Sequence, residues 1–260
     1  MIIFNNKLKI YYSTKINDGY FFSGFSTRHN GDARNIVNIF NFFNRHKIKL
    51  NKLITLGQIH SANVEYYVKT GSADLLTNLA EDNELNFLLK KIEDTDGVIT
   101  GDRLSVLTVR TADCLPMIFV DKTANLIGIS HQGWRGSLKK LPIKMIDEMI
   151  KHGASKKNII IALGPAIGSC CYNIDYDRYY TFLSEYNGYA DKIFSSRGGK
   201  IYLNLLLLNY LFLVDYGIDK RNIDFFPFCT ACNKKMFFSY RREIKSKKYG
   251  EMFSFIEIIG

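Results

Sequence analysis

The sequence predicts a mixed α/β fold, a single domain of mixed, largely antiparallel sheets flanked by helices, and three observations predict it. Short alternating or continuous apolar runs at residues 19–26, 53–68, 104–110, 115–120, 126–130, 158–163, 222–228 and 235–240 carry the periodicity of strands. Helical spacing appears at only four places, without the regular strand–helix alternation of a parallel sheet. Finally, no repeat, low-complexity tract or Pro/Gly/Ser linker interrupts the 260 residues, so residues 1–260 read as one domain.

Taken in chain order, the first helix is announced by Ile36, Ile39, Phe40 and Phe43, a stripe at i, i+3, i+4 and i+7. A second stripe, Leu85, Leu88, Leu89 and Ile92, lies behind the possible caps Asp82 and Asn83. Between 115–120 and 126–130, the run Asp121-Lys122-Thr123-Ala124-Asn125 supplies turn chemistry, so these strands form a hairpin. If Leu115 faces Ser130 and Val120 faces Asn125, Cys114 stands directly opposite His131 at the hairpin's open end. A third helix follows through Leu138, Leu141, Met145, Met149 and Ile150, with an irregular first turn at Pro142 and a stop at Gly153. The last spans residues 204–216 before Gly217.

Composition excludes some functions. The longest apolar run, residues 201–214, is interrupted by Asn204 and Asn209 and falls short of the roughly 18 residues of a membrane span. The N-terminal stretch MIIFNNKLKIYYS lacks the basic-then-apolar order of a secretory signal, so a cytoplasmic location and no membrane partner are expected. The net charge of +10 follows a habit of Lys usage along the whole chain, so nucleic acid is not an expected partner. KKMFFSYRREIKSKKYG does interleave aromatic and basic residues, but Arg241 or Arg242 is better read as a bidentate clamp for phosphate or carboxylate.

The chemistry concentrates in TADCLPMIFVDKTANLIGISHQGWRG, residues 111–136. Adding His60, from ITLGQIHSANVEYY, to Cys114 and His131 gives two imidazoles and a thiolate, the three-ligand set of a catalytic zinc site with an open position. Zinc there would lower the pKa of a bound water toward about 7. Copper suits the same donors, although a chain with five histidines, three of them (His29, His46, His152) in polar surroundings, is poor in ligands for a multicopper cluster. Without a metal, His131 would activate Cys114 as a nucleophile, and Asp113, its neighbour on a strand, would point to the opposite face. Trp134 and Arg135 are candidates for a substrate wall. Of the other cysteines, Cys229 and Cys232 have CxxC spacing but lack a partner pair: Cys170 and Cys171 are adjacent, a poor match to structural zinc spacing, so all four are expected to be structural thiols.

In order along the chain, QIHSANV, DGVIT, TADCLPMIF, SHQGWRGS, GPAIGSCCY and CTACNKKMFFSYRRE resemble the laccase-domain proteins, also described as polyphenol oxidases, purine nucleoside phosphorylases or peptidoglycan editing factors. The resemblance runs from about Phe21 to Tyr240 and implies a fold similar in core to a group of cysteine hydrolases. It implies metal ligation by His60, Cys114 and His131, with Zn2+ the expected cofactor and copper possible. It further implies phosphorolysis of adenosine, inosine, guanosine or methylthioadenosine and deamination of adenosine to inosine. The partners would then be a nucleoside and phosphate, with Cys114, His131, Arg135 and Arg241 or Arg242 in catalytic positions. Two alternatives share the site: an amidohydrolase that edits peptidoglycan precursors and a copper-dependent phenol oxidase. The sequence departs from the family at Ser61, usually Gly, and at Gln132, usually Ala.

Overall fold

The computed structural model describes residues 1–49, 51–68, 88–246 and 249–259. Among them, one sheet has the order β1-β2-β3-β16-β8-β4-β6, built from β1 (Ile2–Asn5), β2 (Ile10–Ser13), β3 (Phe21–Ser26), β4 (Lys52–Leu56), β6 (Leu89–Ile92), β8 (Ser105–Thr111) and β16 (Met252–Ile258). A second has the order β15-β11-β9-β10-β7-β5, from β5 (Val64–Tyr66), β7 (Gly97–Thr100), β9 (Leu115–Asp121), β10 (Leu126–Gln132), β11 (Ile159–Leu163) and β15 (Ile223–Phe225). A small antiparallel sheet joins β12 (Asn173–Ile174), β13 (Phe194–Arg197) and β14 (Lys200–Leu203). Most pairs are antiparallel; β4 with β6 and β8, β5 with β7, and β11 with β15 are parallel.

Period-2 alternation sorts the side chains between two cores. Ile118, Val120, Ile127 and Ile129 of the second sheet meet Phe25, Leu107, Val109 and Ile256 of the first. Met117, Phe119, Ile161 and Leu163 face the other way, toward helices. The helices are α1 (Ile36–Arg45), α2 (Trp134–Leu138), α3 (Leu141–Lys151), α4 (Tyr176–Tyr186), α5 (Ala190–Ile193), α6 (Leu205–Asp215) and α7 (Tyr240–Glu243). Helix α1 buries Ile39, Phe40, Phe42 and Phe43 against the outer face of the first sheet, and its cap Asn35 accepts from the Val37 N–H, a contact worth about 1 kcal/mol. Helix α6 is apolar all round because it serves two cores. Leu213 packs with Met145 and Met149 of α3, whereas Leu205, Leu208 and Phe212 pack with Phe182 and Tyr186 of α4.

The expected α3 begins irregularly, as Pro142 implies: α2 stops at Leu138, Lys140 turns through φ 54°, and Pro142 lies in the first turn of α3. Three expectations need correction. Residues 85–87 of the second expected helix lie outside the described residues, and Leu89–Ile92 forms strand β6, because parallel pairing with β4 overrides a helical spacing of four leucines and isoleucines. Residues 235–240 form turns leading into α7 rather than a strand. The Met236 and Phe237 N–H groups both reach the Asn233 carbonyl, and Phe237 is buried by its ring contacts with Tyr11 and Phe226. The run 53–68 is broken between β4 and β5 by the loop that carries His60.

The hairpin of β9 and β10 forms, but two residues out of the expected register: Leu115 pairs with Gln132, and His131 faces Pro116 rather than Cys114. A slip of two keeps every side chain on its face, whereas a slip of one would reverse them all. Cys114 and His131 therefore still project from the same end of the hairpin.

Candidate metal centre and its cleft

All the elements that feed the site end at one edge of the second sheet. Cys114 immediately precedes β9, His131 is the penultimate residue of β10, Asp96 immediately precedes β7, and His60 lies in the loop that leads into β5. Antiparallel pairing of β10 with both β9 and β7, and parallel pairing of β7 with β5, bring these termini together.

The ligating atoms of His60, Cys114 and His131 lie within 4.8 Å of one another, with Cys114 Sγ 3.9 Å from His60 Nε2. The His60 and His131 rings meet edge to face at 4.8 Å. Asp96, fully buried, organises both histidines. Its carboxylate contacts His131 Nδ1 at 2.8 Å, leaving Nε2 for the site, and accepts from Ser61 N at 2.6 Å, Ser61 Oγ at 2.7 Å, and the Ile59 and His60 N–H groups at 3.2 Å each. These bonds hold the loop in which His60 adopts a left-handed φ of 61°. Gln58 fixes the loop's other end by exchanging two bonds of 2.8 Å with the Arg110 backbone, in the manner of an extra ladder rung.

Burial opposes charge on each of these groups, and mutual attraction overcomes it. Burial alone would raise the Cys114 thiol, but the His131 and His60 rings bring it down to about 6. Burial would likewise lower His131, but the Cys114 sulfur and the Asp96 carboxylate raise it to about 10. Asp96 is itself held below the usual carboxylate range by His131 and Ser61 against the cost of burial. Mutual attraction thus favours the thiolate of Cys114 and the imidazolium of His131.

The backbone at Gly133 lies close against these donors: a Cβ there would come within 2.5 Å of His60 Cδ2 and 3.5 Å of Cys114 Sγ, an approach that glycine permits. The two imidazoles and the thiolate form a donor set that fits zinc or copper.

The three side chains face a cleft of about 530 Å³, whose wall includes Trp134, Arg135, Tyr172, Arg178 and Arg241. The Arg135 and Arg178 guanidiniums lie 4.3 and 4.5 Å from the Trp134 ring. Arg178 Nε is buried without a hydrogen-bond partner among the described residues. Burial pushes the Tyr172 phenol up to about 12, so it stays a neutral donor despite the nearby Arg178. Arg241 donates through Nη1 to the Cys171 and Asn173 carbonyls and to Asn173 Oδ1.

Arg242 differs from the expected clamp. Nη1 donates to the Thr230 and Ala231 carbonyls, and Nη2 to the Phe237 carbonyl and Glu243, so its fork is occupied by the protein and it is not among the cleft-lining residues. Asp113 takes no part in the ligand group. It has φ 88°, and its carboxylate accepts from Thr230 Oγ1, Ser239 Oγ and the Arg241 N–H, at 2.6, 2.8 and 2.7 Å. His29, His46 and His152 do not join the ligand group.

Asp96 and Arg178 were not singled out as site residues from the sequence. The DGVIT motif was a signal for Asp96, whereas Arg178 sits in an ordinary polar stretch and offered none.

The family model described as multi-copper polyphenol oxidoreductase laccase matches residues 18–259. The chain belongs to this laccase family. Among its relatives, purine nucleoside phosphorylase YlmD of Bacillus subtilis (strain 168) is 33% identical over 164 residues, 62% of this chain and 58% of that protein. Adenosine deaminase RL5, from an unknown prokaryotic organism, is 31% identical over 152 residues, 58% of each protein. The matches thus span less than two thirds of either relative. The crystal structure of the Bacillus licheniformis hypothetical protein YfiH superimposes with a TM-score of 0.78 at 27% identity over 92% of both chains. The mixed, mostly antiparallel fold is therefore the fold of the laccase family. Among the described residues, no helix is long and apolar enough to cross a membrane.

Proposed function

We propose that the chain is a zinc-dependent purine nucleoside enzyme that cleaves adenosine, inosine, guanosine or methylthioadenosine by phosphorolysis and deaminates adenosine to inosine. The observation that carries this reading is one cleft holding a His60–Cys114–His131 floor, an aromatic wall and several guanidiniums. The names of the phosphorylase and deaminase relatives support the same class.

His60, Cys114 and His131 would hold the metal. Bound there, zinc supplies Lewis acidity at neutral pH. The Trp134 ring and the Tyr172 phenol offer a flat, partly apolar surface for a purine. Phosphorolysis joins a phosphate oxygen to ribose C1′ as the bond from C1′ to the purine breaks, and positive charge develops on the sugar. Arg135 and Arg241 hold the phosphate close to that charge. The Nη1 bonds of Arg241 fix its orientation and leave its Nη2 edge available among the described residues. Asp96 keeps His131 in the tautomer that turns Nε2 to the site. The free cysteines fit a reducing compartment, and we assign the enzyme to the cytoplasm.

A specific observation favours a second reading. Asp96, His131 and Cys114 form an acid–base–thiolate series, the arrangement of a cysteine hydrolase acting on an amide such as a peptidoglycan precursor. One experiment separates the readings. Protein of measured metal content is incubated with adenosine, with and without phosphate, and with a serine-bearing muropeptide precursor, and products are identified by mass. Inosine, or adenine with ribose phosphate, is the expected outcome. Release of serine alone would favour the hydrolase, and absence of all purine products at every metal loading would refute the nucleoside reading.

A further inference from the structure

Cys170 and Cys171 leave β11 in the GPAIGSCCY loop, and Cys229 and Cys232 lie in the CTAC loop beyond β15; the fold brings the two loops side by side through a bridge between Ala166 and Cys229. The four sulfurs lie within 4.8 Å of one another, with Cys232 Sγ 3.5 Å from Cys170 Sγ and 3.4 Å from Cys171 Sγ. Sulfurs at the corners of a zinc tetrahedron, with Zn–S near 2.3 Å, stand about 3.8 Å apart. We propose that these four cysteines form a second metal site, a structural tetrathiolate centre for one zinc ion, separate from the His60–Cys114–His131 group.

Adjacent cysteines ordinarily make a poor ligand pair, since on a strand they would point to opposite faces. Here they do not lie on a strand. The Cys171 and Tyr172 N–H groups both bond to the Gly168 carbonyl, and this tight turn carries both thiols to one side. Gly168 packs closely against the cluster: a Cβ there would stand 3.1 Å from Cys229 Cβ and 3.3 Å from Cys170 Sγ, tighter than ordinary contact.

The surrounding charge also suits an anionic metal centre. Zinc with four thiolates carries a net charge of −2, and three guanidiniums surround the loops. Arg197 donates to the Ser169 carbonyl, Arg241 to that of Cys171, and Arg242 to those of Thr230 and Ala231. A simple disulfide explains the geometry less well, because Cys232 is nearly equidistant from two candidate partners. Zinc binding displaces the thiol protons to solvent and leaves every sulfur in its reduced state.

The test is zinc content per chain in the full-length protein purified under reducing, anaerobic conditions. Two zinc ions are expected in the unaltered chain and one each in Cys229→Ser and Cys114→Ala. Cobalt(II) loaded into Cys114→Ala should give the intense visible bands and near-ultraviolet charge transfer of tetrathiolate coordination. If Cys229→Ser does not fold, that spectrum and the resistance of these cysteines to alkylation before chelation read the same site. A single zinc in the unaltered chain, a zinc count unchanged by Cys229→Ser, or a disulfide among these cysteines in the intact mass would overturn the proposal.

Discussion

Asp96 is the residue on which the metal centre turns, because one buried carboxylate holds the His131 ring and the backbone of the His60 loop together. Asp96→Asn keeps the shape but places an amide donor among groups that already donate, so zinc affinity is expected to fall about 10–100-fold, measured by competition with a chromogenic chelator. Glu257 poses a different question. It is fully buried on β16, neither carboxyl oxygen has a hydrogen-bond partner among the described residues, and burial pushes it up from 4.5 to about 8. The folded chain thus binds more protons than the unfolded chain between those two values, and stability must decline as pH rises through that window. Glu257→Gln is expected to flatten the decline and to raise stability above pH 8 by an amount on the order of a few kcal/mol, measured by urea denaturation across the pH range. The DGVIT motif draws attention to Asp96 without saying what it holds, and no sequence pattern marks Glu257; only the fold reveals what surrounds each.

At the scale of elements, the two arginines of α7 have separate duties. Arg242 ties α7 to the CTAC loop and to Phe237, whereas Arg241 combines a grip on Cys171 and Asn173 with a place on the cleft wall. Arg242→Ala removes charge-assisted bonds to buried carbonyls and is expected to cost about 2–4 kcal/mol of stability. Arg241→Ala should instead raise the KM for phosphate by about tenfold or more, with the smaller effect on melting temperature; steady-state kinetics beside thermal denaturation distinguishes the two. The sequence could not divide these roles, since adjacent residues at a helix start differ in direction only once the helix is docked. It could identify the hairpin and place Cys114 and His131 at its end, because alternation survives an even slip in register. It missed β6, where the spacing imitates a helix and a neighbouring strand decides the conformation. For the same reason Cys170 and Cys171 looked unsuited to a metal: the turn that aligns them depends on a single glycine carbonyl.

Across the whole molecule, the charge of +10 has a local concentration in the cleft, where Arg110, Arg135, Arg178 and Arg241 line one opening. On the proposed reading, an approaching phosphate would be guided by a field that salt screens over about 10 Å at 0.1 M. kcat/KM for phosphate is therefore expected to fall several-fold between low and high ionic strength while kcat changes little; a flat salt profile would show that these guanidiniums do not capture the anion. The general architecture was legible because two sheets and their helical covers need long, regular apolar patterns to exclude water. The cleft was only partly legible, because its walls come from loops whose direction is set by contacts distant in sequence, such as Arg178 beside Trp134.

One of those distant contacts has an evolutionary consequence. Asp113 receives Thr230, Ser239 and the Arg241 backbone on its carboxylate, and Ile167 on its carbonyl, while the next residue, Cys114, turns to the metal site. A single peptide unit is thus the boundary between the ion-binding floor and a wall assembled from three loops. A descendant could lengthen, shorten or replace any of those loops, provided that each still offered Asp113 a hydroxyl or an N–H. New substrates could then be explored without disturbing the ion-binding chemistry next door.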